Sequence, residues 1–364
     1  MMKKILAVAL ASAFAAPAFA ATANVDVYGA FRGSVDFVDA DGFEDRMRVT
    51  SNNSRLGFKG SEDLGGGLSA IWQWEYSFQL DQQGSGPQSN TNLQGSNSHR
   101  HTFVGLASKS LGSLTLGTQE SPLKTSTGPL AVFGDTLADY RSVFTKLSTR
   151  SDNSVMYTSP SMSGLTLRAM YGARNEGGNA SADDSKMYAA SLVYSNGPLY
   201  ATLAYESNKD PATFTVAANG GVTGSNVTAS QNNAWRAGVG YTFGNTKLGL
   251  AYEDNDAEAT TGVSTNDGSA WYVSVAHKMG NITLAASYTD RDETTSSAND
   301  GAKQYAVGAT YSLSKRTEVY GLYTEVSNDT AGTNNIGAAT GIASVNTIAG
   351  GDAKGFSIGV NHSF

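Results

Sequence analysis

The sequence predicts an all-β fold: a 16-stranded antiparallel transmembrane β-barrel with its third loop folded inward. Three observations carry that prediction. Short segments alternate apolar with small or polar residues at a period of two, which is strand patterning. Their connections alternate between short turns and long loops rich in Gly, Ser, Asn and Asp. Aromatic residues gather toward the segment ends, at Tyr28, Trp72, Trp74, Tyr171, Tyr205, Tyr241, Tyr252, Tyr288 and Tyr311, as interfacial girdles require.

Each element follows in order. "VDVYGAFRGSVDF" sets Val25, Val27, Phe31, Val35 and Phe37 against Asp26, Tyr28, Arg32, Ser34 and Asp36. "SRLGFKG" and "LSAIWQWEYSF" flank the turn "SEDLGGG", and the second sets Trp72, Trp74, Tyr76 and Phe78 against Gln73, Glu75 and Ser77. The phase of the second strand slips between Met47/Val49 and Leu56/Phe58, so Arg48 has no assigned face. "RHTFVGLAS" then turns into "SLTLGTQ", "NSVMYTS" into "LTLRAMYG" and "KMYAASLVYS" into "LYATLAYE". Three more hairpins follow: "NNAWRAGVGYTF" into "TKLGLAYE", "AWYVSVAHK" into "ITLAASYT", and "KQYAVGATYSLS" into "TEVYGLYTE". The last segment alternates Phe356, Ile358, Val360, His362 and Phe364 with Ser357, Gly359, Asn361 and Ser363, a closing strand with Phe364 toward lipid. Turns at one end and loops at the other leave both termini at the turn end, so the last strand can pair with the first and remove the sheet edges. A soluble β-sandwich is a poorer match, since sixteen strands are too many for one small domain. A β-solenoid would need a fixed repeat, and the loops vary widely.

"MMKKILAVALASAFAAPAFA" has a basic start at Lys3 and Lys4, an apolar run and a small-x-small end at Ala18–Ala20. It reads as a secretory signal peptide over residues 1–20, followed by one barrel domain over 21–364. Removing Lys3 and Lys4 from 25 basic residues leaves 23 against 32 acidic, a formal charge of −9. That balance, without basic runs, argues against nucleic acid. The chain has no cysteine, hence no disulfide and no thiol ligand.

A barrel of about 16 strands leaves a lumen that its own side chains do not fill. One connection is suited to narrow it. The segment at about 120–152, "ESPLKTSTGPLAVFGDTLADYRSVFTKLSTRSD", carries Leu130, Val132, Phe133, Leu137, Val143 and Phe144. These apolar residues need a surface to pack on, and the inner wall offers one.

"NSRLGFKGSEDLGGGLSAIWQWE", this long third loop, "GPLYATLAYE", "YSLSKRTEVYGLY" and "GFSIGVNHSF" resemble the general trimeric porins of the neisserial and β-proteobacterial type. The resemblance covers essentially the whole chain after the signal segment. It implies a homotrimer in the outer membrane of a Gram-negative bacterium, in contact with outer-membrane lipid and lipopolysaccharide, that passes small ions and hydrophilic solutes. It also implies a basic cluster at the constriction, on Arg55, Arg100 and Arg141. Lumen parity adds Arg32, Lys59, Arg168, Arg236 and Lys247, while Glu120, Asp135 and Asp139 form the expected acidic side on the loop. A positive wall facing acidic loop residues makes a transverse field that sorts passing ions. Thr118 departs from the pattern, standing where the resemblance calls for a basic residue. The expected preference is weakly anionic.

Other functions fit less well. Hydrolysis needs a base beside a nucleophile, and the histidines are His99, His101, His277 and His362, scattered over strand ends. "HRH" has no third metal ligand nearby. A substrate-specific channel would show denser inward aromatics or basic residues, and an adhesive role for the loops is compatible with a pore. No catalytic residue, metal or cofactor is implied.

Overall fold

The computed structural model describes residues 24–81, 99–144, 147, 150–173, 186–214, 229–259, 267–295, 297–337 and 347–364. The expected signal peptide, residues 1–20, lies outside them. Among the described residues seventeen strands form one antiparallel sheet closed into a ring. They are β1 (Asn24–Ala40), β2 (Arg46–Ser51), β3 (Arg55–Gly65), β4 (Leu68–Ser77), β5 (His99–Ser108), β6 (Gly112–Glu120), β7 (Arg150–Thr158), β8 (Leu165–Ala173) and β9 (Lys186–Asn196). The ring continues with β10 (Leu199–Phe214), β11 (Ala229–Phe243), β12 (Thr246–Ala259), β13 (Gly268–Met279), β14 (Ile282–Arg291), β15 (Ala302–Ser312), β16 (Thr317–Asn328) and β17 (Ala353–Ser363). Because β2 and β3 both pair with β1, end to end, they are two halves of one stave, and the barrel has sixteen staves.

Closure comes from β17 lying along β1, from Ala30↔Ser363 to Ala40↔Ala353. Gly29 and Phe364 exchange backbone hydrogen bonds of 3.2 Å. The Phe364 ring sits 5.9 Å from that of Phe31, on the outer face as expected. The tight turns between staves need backbone that only glycine adopts freely: Gly197 and Gly244 both have φ of +55°.

The phase slip in the second stave has a geometric cause. Gly33 faces Ser51, yet Ala30 faces Arg55, so three steps on β1 match four on its partner. The extra residue is a β-bulge at Asn52–Ser54. The interrupted ladder is repaired locally: Arg32 N–H donates to Ser54 Oγ at 3.0 Å, and its carbonyl accepts from Asn52 N–H at 2.9 Å. A bulge inverts parity, so Arg48 above it and Arg55 below it face the same lumen. Arg48 Nε lies 3.5 Å from Asp36, its cross-strand neighbour.

Outward positions carry exposed apolar side chains such as Val104, Leu116, Leu203, Leu250 and Val307. Near the loop end this face bears paired rings at Tyr171/Tyr188, Tyr205/Trp235, Tyr252/Trp271 and Tyr288/Tyr305, with centroids 4.4 to 5.4 Å apart. Tyr28 does not belong to a girdle. Its hydroxyl donates to Glu75 at 2.9 Å and accepts from Gln73 at 2.6 Å, on the lumen side.

Between β6 and β7 the third loop folds inside. It begins with helix α1 (Pro122–Ser126), started by Ser121, whose hydroxyl accepts the Lys124 N–H at 3.1 Å, and by Pro122 in the first turn. A 3-10 turn (Gly128–Leu130) and helix α2 (Arg141–Phe144) follow. Leu123, Leu130, Leu137, Val143 and Phe144 are fully buried against the inner wall. At about 2 kcal/mol per side chain this burial is worth roughly 10 kcal/mol before the entropy of ordering the loop.

Candidate functional site

The wall under the loop is built of small residues. Leu123 and Leu147 pack on Ala204 and Ala234; Leu130, Tyr140 and Phe144 pack on Ala251, Ala270 and Tyr272. Phe133 and Leu137 reach Val326, Ile336 and Ala353. A Cβ on Gly238 or Gly240 would lie 2.7 or 2.8 Å from Leu130, so glycine there opens the slot that receives it. Polar wall groups then hold the loop's backbone. Arg236 donates to the carbonyls of Leu123 at 2.9 Å and Leu147 at 3.0 Å, and pairs with Glu253 at 2.9 Å. Ser274 donates to the Leu130 carbonyl at 2.8 Å, Lys247 to that of Pro129, and Tyr200 to that of Ser126. Arg168 reaches Thr125 Oγ1 at 3.3 Å.

The loop's other side meets β1–β5. Asp135 is bonded to Arg32, receives Asn53 Nδ2 at 3.2 Å, and lies 3.3 Å from Arg141 and 3.8 Å from Arg55. Burial alone would raise its pKa, but Arg141, Arg32, the Asn53 hydrogen bond and Arg55 outweigh it and hold the carboxyl below its ordinary value. Asp139 is fully buried. It accepts the backbone N–H groups of Asp135 and Arg141 at 2.8 and 3.0 Å, and the Arg141 guanidinium at 2.5 Å. Arg100 continues the network, donating to Asn53 Oδ1 at 2.7 Å and to Glu75 at 2.5 Å, and lying 4.0 Å from Glu120. Around Glu120 stand Arg150 at 2.9 Å, Lys124 at 3.3 Å and His101 at 3.5 Å.

The geometry sorts the expected site residues. Arg32, Arg55, Arg100, Arg141 and Asp135 converge on one cluster where the third loop meets the wall, Arg100 through Asn53. Arg141 stands on the loop, beside the acids it was grouped against. Asp139 organises the loop from within instead of lining the lumen. Glu120, the last residue of β6, belongs to the wall and sits among its cations, so it does not oppose them. Lys59 lies toward the turn end, exposed, with Nζ 5.4 Å from the Tyr28 ring centroid. Arg168, Arg236 and Lys247 hold the loop from its other side and do not join that cluster. Thr118 shares the outward parity of exposed Leu114 and Leu116, so a cation there would point away from the lumen.

Four members were not legible as site residues: Asn53, Glu75, Lys124 and Arg150. Asn53 hides in a bulge, and Lys124 and Arg150 are loop-end charges whose direction no periodicity fixes. Glu75 had a signal, the one carboxylate at lumen parity amid "WQWEY". In all, Arg32, Arg55, Arg100, Lys124, Arg141 and Arg150 join Glu75, Glu120, Asp135 and Asp139 in two ion-pair clusters linked through Asn53, six cations with four carboxylates.

Comparison with known proteins agrees with this architecture. The outer membrane porin protein of Bordetella pertussis is 32% identical over 235 residues, covering 57% of this chain and 59% of that one. The major outer membrane protein P.IB of Neisseria meningitidis serogroup B is 33% identical over 209 residues, covering 55% and 57%. These matches span less than two thirds of each relative. In fold, the anion-selective porin of Comamonas acidovorans superimposes with a TM-score of 0.75 at 21% identity, over 94% of this chain and 100% of that one. The trimer form of the outer membrane protein OmpT of Vibrio cholerae gives 0.70 at 17%, over 94% and 99%. Residues 7–331 match the Gram-negative porin family, and the chain belongs to that family.

Proposed function

We propose that the protein is an outer-membrane porin, a water-filled channel for passive diffusion of ions and small hydrophilic solutes, with a weak preference for anions. The observation that carries the reading is a loop fixed inside a closed barrel, where six cations and four carboxylates form one network, Asp139 within the loop and the others where it meets the wall. That network carries an excess of two positive charges beside the loop inside the barrel. Charges on the external loops are screened within about 8 Å at physiological salt, so the local field outranks them. The fold relative from Comamonas acidovorans is an anion-selective porin, which supports the same sign. A homotrimer is part of the proposal, supported by the trimer form of the Vibrio relative.

Hydrolysis has little support. His99 bonds Tyr76, His277 bonds Thr246 and His362 bonds Thr317, each at an exposed position at 2.8 or 2.9 Å, and His101 faces Glu120. None of these contacts pairs a base with a nucleophile facing a pocket.

The test is single-channel recording from purified protein in a planar bilayer under a salt gradient. Closure in three equal steps with a reversal potential of anion sign is expected. A cation sign would overturn the preference, and folded protein that does not conduct would overturn the channel.

A further inference from the structure

The bulge at Asn52–Ser54 has a consequence for the constriction. It sits where Asp135 reaches across from the loop, and its middle residue, Asn53, has φ of +62°. Left-handed backbone is costly for side-chain residues, and Asn is one of the few that adopt it readily. Asp135, its hydrogen-bond partner on the loop, is left-handed too, with φ of +57°. Such backbone persists where surroundings hold it, and it gathers at functional sites. What it achieves here is an orientation. The Asn53 amide leaves the strand so that its Oδ1 accepts from Arg100 at 2.7 Å while its Nδ2 donates to Asp135 at 3.2 Å.

We propose that Asn53 is a specificity-determining positioning residue, which holds the Arg100 charge at the constriction by bridging it to Asp135. The proposal rests on the channel reading above. Arg100 has two competing carboxylates away from the loop tip, Glu75 at 2.5 Å and Glu120 at 4.0 Å. Without the Asn53 acceptor the guanidinium turns fully to these two, and the opening loses positive field although no charge has been removed. A neutral side chain thereby sets the strength of the ion preference. The bulge matters twice, since the same extra residue brings Arg48 and Arg55 to one face.

The experiment compares wild type, Asn53→Gly, Arg100→Gln and the double variant in planar bilayers under a potassium chloride gradient. Glycine keeps the left-handed backbone at no steric cost and removes only the amide. Asn53→Ser, equally neutral, serves if glycine loosens the strand. The expected result is a reversal potential shifted toward zero in Asn53→Gly, with no further shift when Asn53→Gly is added to Arg100→Gln. That non-additivity is the mark of one residue acting through the other. An unchanged reversal potential in Asn53→Gly, or an equal shift in both backgrounds, overturns the role of Asn53 while leaving the channel reading intact. A folded wild-type barrel without conductance overturns the channel reading, and the proposal with it.

Discussion

Asp135 holds the most crowded position in the constriction, with Arg32, Arg55, Arg141 and Asn53 all directed at one carboxylate. A carboxylate so placed does two things. It lets three guanidiniums approach one another, and it subtracts one charge from the field that a passing anion meets. Asp135→Asn should therefore raise anion preference, and Arg55→Gln should lower it. One charge about 5 Å from an ion in water-like surroundings is worth roughly 0.8 kcal/mol, which salt screening reduces to about a twofold change in permeability ratio. Reversal potentials under a salt gradient measure both; shifts of equal sign would refute the assignment. The pH dependence follows from the same contacts. The arginines hold Asp135 below the ordinary carboxylate value, so it stays ionised as pH falls through about 4. The difference between wild type and Asp135→Asn should persist from neutral pH to about pH 4 and vanish only at lower pH, where the wild-type carboxyl takes up its proton. A difference already lost at pH 5 would mean that Asp135 is not held by these cations.

Two kinds of element place these residues, bulged strands and a docked loop. Besides the bulge at Asn52–Ser54, the pairing of β4 with β5 slips between Trp74↔Thr102 and Tyr76↔His99, and that of β6 with β7 slips between Gly117↔Ser154 and Gln119↔Ser151. The second slip frees Arg100 and His101 for Glu75 and Glu120, and the third lies beside Arg150. Each irregularity thus sits next to a constriction residue, where bulges re-aim side chains. On the loop side, Arg236 and Glu253 are both about 1% exposed. Arg236→Gln leaves Glu253 charged without its main partner, a loss of about 3 to 5 kcal/mol. The loop should loosen, seen as noisier open channels that close at lower voltage, and adding Glu253→Gln should restore much of the steadiness. Equal noise in the single and double variants would remove the clamp from the account. These elements also mark what the sequence discloses. Period-two alternation exposes staves and lumen parity, and the apolar residues of the third loop disclose that it packs. A bulge breaks the very periodicity that the reading uses, so Arg48 had no face and Asn53 went unseen. Arg236 and Lys247 shared lumen parity with the constriction arginines, but parity does not say which side of the lumen a stave occupies. The Ala and Gly positions of β10–β12 held a legible hint, for a wall of such small residues leaves room for something else.

Across the whole molecule two charge distributions of opposite sign act on the same ion. The chain carries a formal charge of −7, and part of it is displayed at the loop end, on exposed residues such as Asp41, Glu44, Asp45, Asp292 and Glu293. The network where the third loop meets the wall carries an excess of two positive charges within the barrel. Salt decides which is felt. At about 0.01 M the screening length is about 30 Å, comparable to the height of a membrane-spanning barrel, so the acidic rim extends its field toward the constriction and offsets it. At about 0.1 M it falls to about 10 Å and the constriction acts alone; at about 1 M it is about 3 Å and even that field shrinks. Anion preference should therefore pass through a maximum near physiological salt, weaker on both sides. Reversal potentials recorded at fixed concentration ratio over this range measure the curve. Removing Asp292 and Glu293 should lift only its low-salt arm. A preference that grows steadily toward low salt would show that the rim is too far from the permeation path to matter, leaving the constriction as the sole selector.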